Sequence, residues 1–422
     1  MNGWKLFLID MNKRRPPDMQ RRLTVGELQT PANFKQLTGV KLSGDSGAEG
    51  GGSMILGYND DLLTAIFIYL PPKTLIKLKL VCKHWFSLIS DDNFSHQHTL
   101  RHRSKTEPSL LLRLLEESNH HIYLHLNRYA KKLVPYHFPP SLTGQTISSY
   151  SNGLFLLRSP RTIENPLEEC CIYNPTTKQS RKIVLNVNQR YTSVMGLNLA
   201  FDPSNTPHYK IICVRSTRGR PTTLLRRSLR FCRIEVYESE KGTWSPRGEP
   251  FWAPMDVDFN RGVYLNYYVH WHGMYFYYHR DNSLVGEHPK IVVPNGTGTE
   301  KLHENYVESG GYLHNIAHLS ERHLVLVFEL ECDFSEWSLK YRVDLNGVFG
   351  LLSVLSIVVN GESGEDSASL VLHEPGKVMA YELQEESMKE VVDFREEGFY
   401  EEGCMQFISN CTFQFVETLS PV

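Results

Sequence analysis

From about residue 110 onward, short β-prone runs alternate with turn-forming dipeptides, and this pattern constrains the fold more than any other feature. Runs such as 153–157, 209–214 and 323–328 have the length and the branched or aromatic residues of buried strands. Turn signals separate the runs, at Asn152-Gly153, Asn174-Pro175, Asp202-Pro203, Lys241-Gly242, His272-Gly273, Asn346-Gly347, Asn360-Gly361 and Pro375-Gly376. Because helical periodicity is nearly absent, we expect this region to be all-β.

The size of the β region narrows the architecture further. About 310 residues of short strands are too many for one sandwich, and an open sheet of that size would leave exposed edges. A closed ring of four-stranded blades leaves only short, protected edges. At about 40–50 residues per blade, the length predicts an irregular six- or seven-bladed β-propeller.

Residues 57–103 have a different, helical pattern. Asn59 is a helix N-cap candidate, and apolar residues then recur at helical spacing until Pro71-Pro72 ends the first helix. A second short helix follows, and a third closes before Asp91. We therefore predict a small all-α, three-helix module. So few residues cannot bury this much apolar surface alone, so the module either docks on the β-domain or presents an apolar face to a partner.

The remaining features concern domain limits and compartment. Residues 1–53 end in a Gly-rich stretch and are predicted to be a flexible leader, which gives domains at 1–53, 54–103 and 104–422. Eight cysteines without a CxxC pair indicate neither a disulfide framework nor a zinc knuckle. No apolar run is long enough for a membrane span or a signal peptide. These observations predict an intracellular protein, in the nucleus, the cytoplasm or both.

Charge is unevenly distributed although the formal net charge is only −2. Residues 211–233 contain seven arginines and no acid, whereas residues 361–422 contain fourteen Asp and Glu against three Lys and Arg. The arginines are interpreted as an exposed basic loop or as a lobe that recognises an acidic partner. Nucleic-acid binding is disfavoured, because only Phe231 interleaves aromatic character with these arginines.

The helical segment resembles the F-box. The matching residues are Asp60-Asp61-Leu62-Leu63, Ile66-Phe67, Leu70-Pro71, Leu75, Leu78, Val81-Cys82-Lys83-His84-Trp85, Leu88-Ile89 and Phe94. Tyr58-Asn59 stands where the family usually has Leu-Pro before the acidic pair.

The β region resembles the plant F-box-associated domain of the kelch-like β-propeller type. The motifs that carry this resemblance are 151–155, 173–178, 200–203 with 209–211, 235–238 with Trp244, 262–266 with 270–273, and 329–331 with 337–339. In the fourth and fifth of these, Trp244 and Trp271 are interpreted as packing between blades rather than ligand stacking.

The resemblance implies that the chain is the substrate-recognition subunit of a Skp–cullin–F-box ubiquitin ligase. The helical module would bind the Skp-type adaptor and, through it, a cullin–RING ligase, and the β-domain would bind a target protein. No catalytic residue, metal or cofactor is implied, and Cys82 is interpreted as a small apolar plug. The residues that the family pattern assigns to adaptor binding are Leu62, Leu63, Ile66, Leu70, Pro71, Leu75, Leu78, Val81, Cys82, Lys83, Trp85, Leu88 and Ile89.

Two alternatives stay open: a non-ligase scaffold held on the adaptor, and a propeller enzyme with its site at the central channel. No common catalytic or nucleotide-binding motif supports the enzyme. His96, His98 and His102 are interpreted as solvated histidines rather than zinc ligands. The target protein cannot be identified, and the candidate binding loops are 159–168, 215–228, 281–300 and 360–367.

Overall fold

The computed structural model describes residues 59–102, 109–114, 121–125, 133–159, 169–185, 191–217, 229–279, 282–291, 303–319, 323–331, 333–345, 353–360, 367–393 and 407–422. The predicted leader lies outside these residues. The helices are α1 (Asp60–Phe67), α2 (Pro72–Leu78), α3 (Lys83–Ser90) and α4 (Asp92–His102). The prediction of three helices therefore missed α4. None of the helices in the described part of the chain has the length and apolarity needed to cross a membrane.

Local chemistry explains where the first three helices begin. Asn59 Oδ1 accepts a hydrogen bond from the Leu62 N–H at 3.0 Å, which confirms its predicted capping role. Pro72 is the first residue of α2. The N–H of a first helical residue has no intrahelical acceptor, so proline, which lacks this N–H, is well tolerated there. Cys82 Sγ accepts from the Trp85 N–H at 3.5 Å, so the predicted apolar plug also caps α3.

Helix α4 corrects the interpretation of its histidines as solvated. His98 is only 1% exposed, and its Nε2 lies 2.7 Å from the Leu70 carbonyl oxygen. The His102 Nε2 lies 2.9 Å from the Ile68 carbonyl oxygen. Both carbonyl groups lie in the connection between α1 and α2. Beyond the end of a helix, carbonyl oxygens no longer have an intrahelical N–H donor. The two imidazoles therefore fasten α4 to that connection.

Burial also makes His98 a source of acid sensitivity. It lowers the pKa of His98 to about 4, whereas histidine in the unfolded chain titrates near 6.5. As the pH falls from about 6.5 to about 4, the unfolded state takes up a proton that the folded state does not, so the module loses up to roughly 3 kcal/mol. Hydrogen exchange of residues 60–102 at pH 7 and pH 4.5 measures this loss.

A matched variant isolates the imidazole from other acid-sensitive groups. His98→Gln keeps an N–H donor for the Leu70 carbonyl but does not titrate. We expect its module to lose less stability between pH 7 and pH 4.5 than the wild-type module. An equal loss in both proteins would contradict the assignment.

The strands form six four-stranded antiparallel sheets. The first sheet contains β24 (Phe407–Phe415), β1 (Ser109–Leu114), β2 (His121–His125) and β3 (Leu133–Tyr136). The second contains β4 (Thr146–Ser151), β5 (Leu154–Arg158), β6 (Glu169–Asn174) and β7 (Gln179–Val184), after a short 3₁₀ turn, η1 (Pro140–Leu142). The third contains β8 (Tyr191–Ala200), β9 (Lys210–Thr217), β10 (Leu229–Glu238) and β11 (Thr243–Pro254). The fourth contains β12 (Val263–Leu265), β13 (Tyr268–Trp271), β14 (Met274–His279) and β15 (Asn282–Glu287). The fifth contains β16 (His303–Ser309), β17 (Tyr312–Leu319), β18 (Leu324–Leu330) and β19 (Trp337–Asp344), and the sixth contains β20 (Ser353–Asn360), β21 (Ser367–Glu374), β22 (Lys377–Glu382) and β23 (Ser387–Asp393).

The six sheets are the blades of a closed β-propeller. One strand of each blade lines the centre, and contacts run from β4 to β8, β12, β16, β20 and β24 in turn. The ring closes where β24 meets the second blade, because the rings of Phe155 and Phe415 stack with centroids 6.1 Å apart. The first blade thus combines three strands from the start of the domain with one from its end. Of the predicted six or seven blades, the structure has six.

The two tryptophans predicted to pack between blades do so. Trp271 is fully buried and donates from Nε1 to the Phe259 carbonyl oxygen at 3.2 Å, inside a cluster shared by the third and fourth blades. Trp244, on β11, donates to the Val184 carbonyl oxygen of the second blade at 2.9 Å. Interdigitated apolar layers of this kind hold neighbouring blades together.

The propeller has two faces that differ in what they contact. The inner strands all run in one direction, and β24 ends at Phe415 beside Ser109, the first residue of β1. We call this end the module face, because the helices precede β1 and pack there. The opposite end, where the inner strands begin, is the distal face.

Candidate functional site

The helical module exposes large apolar side chains. The sequence indicated this, because the segment has more apolar residues than so small a module can bury. Five such side chains lie on its surface: Leu62 (37% exposed), Tyr69 (61%), Leu80 (86%), Phe86 (55%) and Leu100 (45%). Leaving this much apolar area in water is unfavourable by about 25 cal/mol per Å². A concentration of exposed apolar residues on so small a unit is typical of a protein-binding surface.

The residues that the family pattern assigns to adaptor binding divide into three groups in the structure. Five form the core of the module: Leu63, Leu70, Leu75, Trp85 and Ile89. Five are half-buried: Ile66, Leu78, Val81, Cys82 and Leu88. Only Leu62, Pro71 and Lys83 are exposed. The first group can support a binding surface but cannot itself form one without unfolding the module.

The most exposed apolar residues were not among those assigned. Leu80 lies in the turn after α2, and Phe86 lies on α3, one residue beyond the buried Trp85. The Lys79 Nζ is 5.8 Å from the centroid of the Phe86 ring, and partial burial lowers the pKa of Lys79. We call Lys79, Leu80 and Phe86 the Phe86 patch. Helical spacing could have predicted that Phe86 is exposed. Consecutive residues of a helix point about 100° apart, so Phe86 cannot point into the core in the same direction as Trp85.

Tyr69 is exposed elsewhere on the module, and α4 covers part of its ring. The guanidinium of Arg101 lies 3.8 Å from the centroid of the Tyr69 ring, which connects the end of α4 to the segment after α1. Cation–π contact at that distance is favourable and covers one side of the ring. One side of the Tyr69 ring is therefore covered within the module, whereas Leu80 stays exposed to solvent.

The module also docks on the β-domain, through the segment that follows β24. Leu419 is 4% exposed and belongs to the apolar core of the module. The Lys73 Nζ lies 2.5 Å from Glu417 Oε1, and the hydroxyl oxygens of Thr99 and Thr418 are 3.4 Å apart. The predicted docking of the module on the β-domain therefore occurs, and part of its apolar surface stays exposed. We call residues 416–422 the C-terminal strap.

The second blade holds the other side of the C-terminal strap. Asn174 Nδ2 donates to the carbonyl oxygens of Thr418 and Ser420, at 3.1 and 2.8 Å. The same side chain accepts at Oδ1 from the Thr176 N–H at 2.8 Å, which confirms the predicted Asn-Pro-Thr turn. At Gly153, where φ is +89°, a Cβ would lie 2.4 Å from a Thr418 methyl carbon. Both turn motifs of the second blade therefore seat the strap, a role that the sequence did not reveal.

A central channel of about 450 Å³ runs between the inner strands of the propeller. Its lining includes β4, β12, β16, β20 and β24, and it carries polar and charged side chains. Within the described residues, no group of three or more His, Cys, Asp or Glu side chains could hold a metal ion.

The candidate target-binding loops lie mostly outside the described residues. Of these loops, residues 160–168, 218–228 and 292–300 follow strands that end at the distal face. Residues 361–366 follow β20, which ends at the module face. Arg215, assigned to an exposed basic loop, is instead buried on β9, where its Nε lies 2.9 Å from Glu235 Oε2.

Comparisons with known proteins agree with this arrangement. The F-box-like family model matches residues 60–101. An Arabidopsis thaliana F-box protein is 27% identical over 400 residues, which cover 86% of this chain and 92% of that protein. A putative F-box/kelch-repeat protein of the same plant is 24% identical over 284 residues, or 64% of this chain and 66% of its own length.

Among solved structures, the β-propeller domain of the trilobed protease from Pyrococcus furiosus matches with a TM-score of 0.32 and 13% identity. The match covers 68% of this chain and 82% of that one. A likeness this distant indicates nothing about activity.

The chain joins an F-box-like helical module at residues 60–101 to a six-bladed β-propeller. In this combination it is similar to F-box proteins of plants.

Proposed function

We propose that the chain is the substrate-recognition subunit of a Skp–cullin–F-box ubiquitin ligase. In this proposal residues 54–103 bind the Skp-type adaptor, residues 104–422 bind a target protein, and residues 1–53 are a leader. The observation that carries it is the exposed apolar surface of the F-box-like module, centred on Leu80 and Phe86. That surface remains open although the module is already docked on the propeller.

The thirteen residues of the family pattern take two roles in this proposal. The exposed and half-buried ones contact the adaptor, together with the Phe86 patch. The buried ones hold the helices in the arrangement that presents the surface, and the edge-to-face contact between Phe67 and Trp85, with centroids 4.9 Å apart, is part of that frame.

The chain contributes proximity rather than chemistry. Holding a target protein on the same assembly as a charged ubiquitin-conjugating enzyme replaces a bimolecular encounter by a local one. The C-terminal strap supports this role, because it fixes the module against one face of the propeller. A target bound at the distal face would then be held at a constant distance from the adaptor.

A reducing compartment, the nucleus or the cytoplasm, fits this proposal. Five described cysteines carry free thiols, and four of these are buried. Burial raises the pKa of the Cys232 thiol to about 11, which keeps it protonated and unreactive at neutral pH.

Co-precipitation with a purified Skp-type adaptor tests the proposal. We expect the wild-type chain to capture the adaptor through residues 54–103, and a chain that lacks them to capture none. Failure of the wild-type chain to bind any Skp-type adaptor would refute the proposal.

A second assay separates the ligase role from the scaffold. We expect a captured partner to be ubiquitylated in a reconstituted ligase only when the F-box-like module is present. Partner binding without ubiquitylation would identify a scaffold, and turnover of a small molecule by residues 104–422 would identify an enzyme.

A further inference from the structure

Histidines are concentrated where the fourth blade meets the fifth. His270 lies on β13, His272 lies in the turn between β13 and β14, and His288 directly follows β15. The first two stand on either side of Trp271 in the sequence motif 270–273. We call His270, His272 and His288 the histidine seam.

His270 and His288 form a buried pair inside the seam. They are 0% and 7% exposed, and His270 Nδ1 lies 3.2 Å from His288 Nε2. At this distance one nitrogen carries a hydrogen and the other accepts it, so the contact fits two neutral imidazoles. A protonated His288 would also carry an N–H at Nδ1, which is buried without a hydrogen-bond partner in the described part of the chain. The pair is therefore built for the uncharged state.

Aromatic rings from both blades enclose the pair. The ring centroid of Phe334 lies 5.6 Å from that of His270, and those of Tyr306 and Trp337 each lie 5.8 Å from that of His288. Phenol groups stay uncharged at neutral pH, so they cannot neutralise an imidazolium. The titratable and charged groups that face or flank the seam among the described residues are Tyr268, Tyr275, Tyr306, Glu304 and Asp256, with Glu287 and Lys290 exposed on either side of His288.

The buried pair makes the joint sensitive to acid. Burial lowers the pKa of His270 well below 6.5, and the proximity of His288 lowers it further. Burial also lowers the pKa of His288 to about 4, and the charge of His272 acts in the same direction. In an opened joint both imidazoles would titrate near 6.5. As the pH falls from about 6.5 to about 4, the open joint takes up protons that the closed joint does not, so acid favours opening.

His272 has the opposite dependence on pH. Its side chain is 60% exposed, and its Nε2 hydrogen-bonds the Glu304 carboxylate on β16, so the contact crosses from the fourth blade to the fifth. This bond raises the pKa of His272, and the charges of Glu304 and Asp256 act in the same direction. As the pH rises from about 6.5 through the raised pKa, the closed joint loses this ion pair, so alkali also favours opening.

We propose that the histidine seam makes the joint between the fourth and fifth blades pH-sensitive, so that it is closed most firmly near neutral pH and is loosened by both acid and alkali. The joint forms part of the channel wall, because Tyr264 of β12 and Tyr306 of β16 line the channel. Loosening it changes the shape of that wall. The proposal does not depend on the ligase role.

Hydrogen exchange of the full-length chain at pH 5, pH 6.5 and pH 8 tests the seam, with rates corrected for the intrinsic effect of pH. The readout is the protection of β13 and β14 relative to β5 of the second blade. We expect this ratio to be highest at pH 6.5 and lower by about ten-fold or more at pH 5, since a histidine pKa of about 4 in place of 6.5 implies a change of that size. At pH 8 we expect a smaller loss.

Three variants assign the two losses to their histidines. His288→Gln keeps a side-chain N–H for His270 but does not titrate, so it should make the acid loss several-fold smaller and leave the alkaline loss. His272→Gln should remove the alkaline loss and leave the acid loss. His208→Gln, at an exposed histidine of the third blade, is the matched control and should change neither. Because each loss compares two pH values of one protein, a uniform change in stability cancels.

A ratio that stays constant between pH 5 and pH 8 in the wild-type chain would overturn the proposal. Losses that are unchanged in both His288→Gln and His272→Gln would overturn it as well. If His288→Gln does not fold, the wild-type profile and His272→Gln carry the test. The experiment contains neither adaptor nor ubiquitin, so its failure is distinct from failure of the proposed ligase role.

Discussion

Replacing Phe86 by aspartate is expected to weaken binding of the Skp-type adaptor by about 30-fold or more while the helical module stays folded. Phe86 is 55% exposed, so its loss removes little from the core of the module. A carboxylate placed in an apolar contact must lose its water without gaining a partner, which disfavours the complex. Isothermal titration calorimetry with purified adaptor measures the change, and Leu80→Asp should behave in the same way.

Two further variants make this result specific. Met255→Asp introduces the same charge at an equally exposed apolar residue of the propeller and should leave the affinity unchanged. Trp85→Ala should also abolish binding, but by unfolding the module, because truncating a buried aromatic residue costs about 3–5 kcal/mol. Unchanged adaptor affinity in both Phe86→Asp and Leu80→Asp would show that the Phe86 patch is not the adaptor surface.

Truncating Leu419 to alanine is expected to destabilise the helical module by about 2–5 kcal/mol, although the residue lies far from the module in sequence. Leu419 is buried in the apolar cluster that the helices of the module form. Total stabilities of small domains are only about 5–15 kcal/mol, so this loss is a large fraction of the total. Hydrogen exchange should show faster exchange across residues 60–102.

The propeller provides the internal reference for this experiment. Strand β18 is buried in the fifth blade, and its amides should keep their protection in Leu419→Ala. Leu339→Ala, at an exposed residue of β19, is the matched substitution and should leave the module unchanged. Equal loss of protection in β18 and in the module would mean that Leu419 supports the whole ring and not the docking of the helices.

The fold was largely predictable where the signal is local. Asn59 caps α1 and Asn152-Gly153 forms a turn because short-range hydrogen bonds and backbone conformation decide both. The number of blades was not fixed by the sequence, because the first blade takes β24 from the other end of the domain. No local pattern marks a strand as the partner of one so distant in sequence.

Helix α4 shows a second limit. Its sequence is polar, so neither its packing nor the burial of His98 follows from hydrophobic periodicity. The imidazole is buried because the α1–α2 connection offers a carbonyl acceptor. This is a tertiary contact, which the local sequence of α4 does not show. Helix formation there was obscured because the residues that pack, Phe94 and His98, are too few to form an apolar stripe.

The candidate site was predictable as a module but not as a surface. The family pattern mixes core residues such as Leu75 with surface residues such as Pro71, and a pattern cannot separate them without the packing. Phe86 and Leu80 are distinguished from the core residues of the module by their exposure alone.

The placement of β24 has a consequence for biosynthesis. A ribosome makes β1–β3 first, and these strands must wait for most of the domain to be translated before their inner neighbour exists. Until then the inner edge of β1, which pairs with β24 in the closed ring, has no partner, and an unpaired strand edge is prone to aggregation. The strap that anchors the module follows β24 directly, so closure of the ring and attachment of the helices become possible at nearly the same moment of synthesis. Incomplete chains would therefore lack both a closed propeller and a docked helical module.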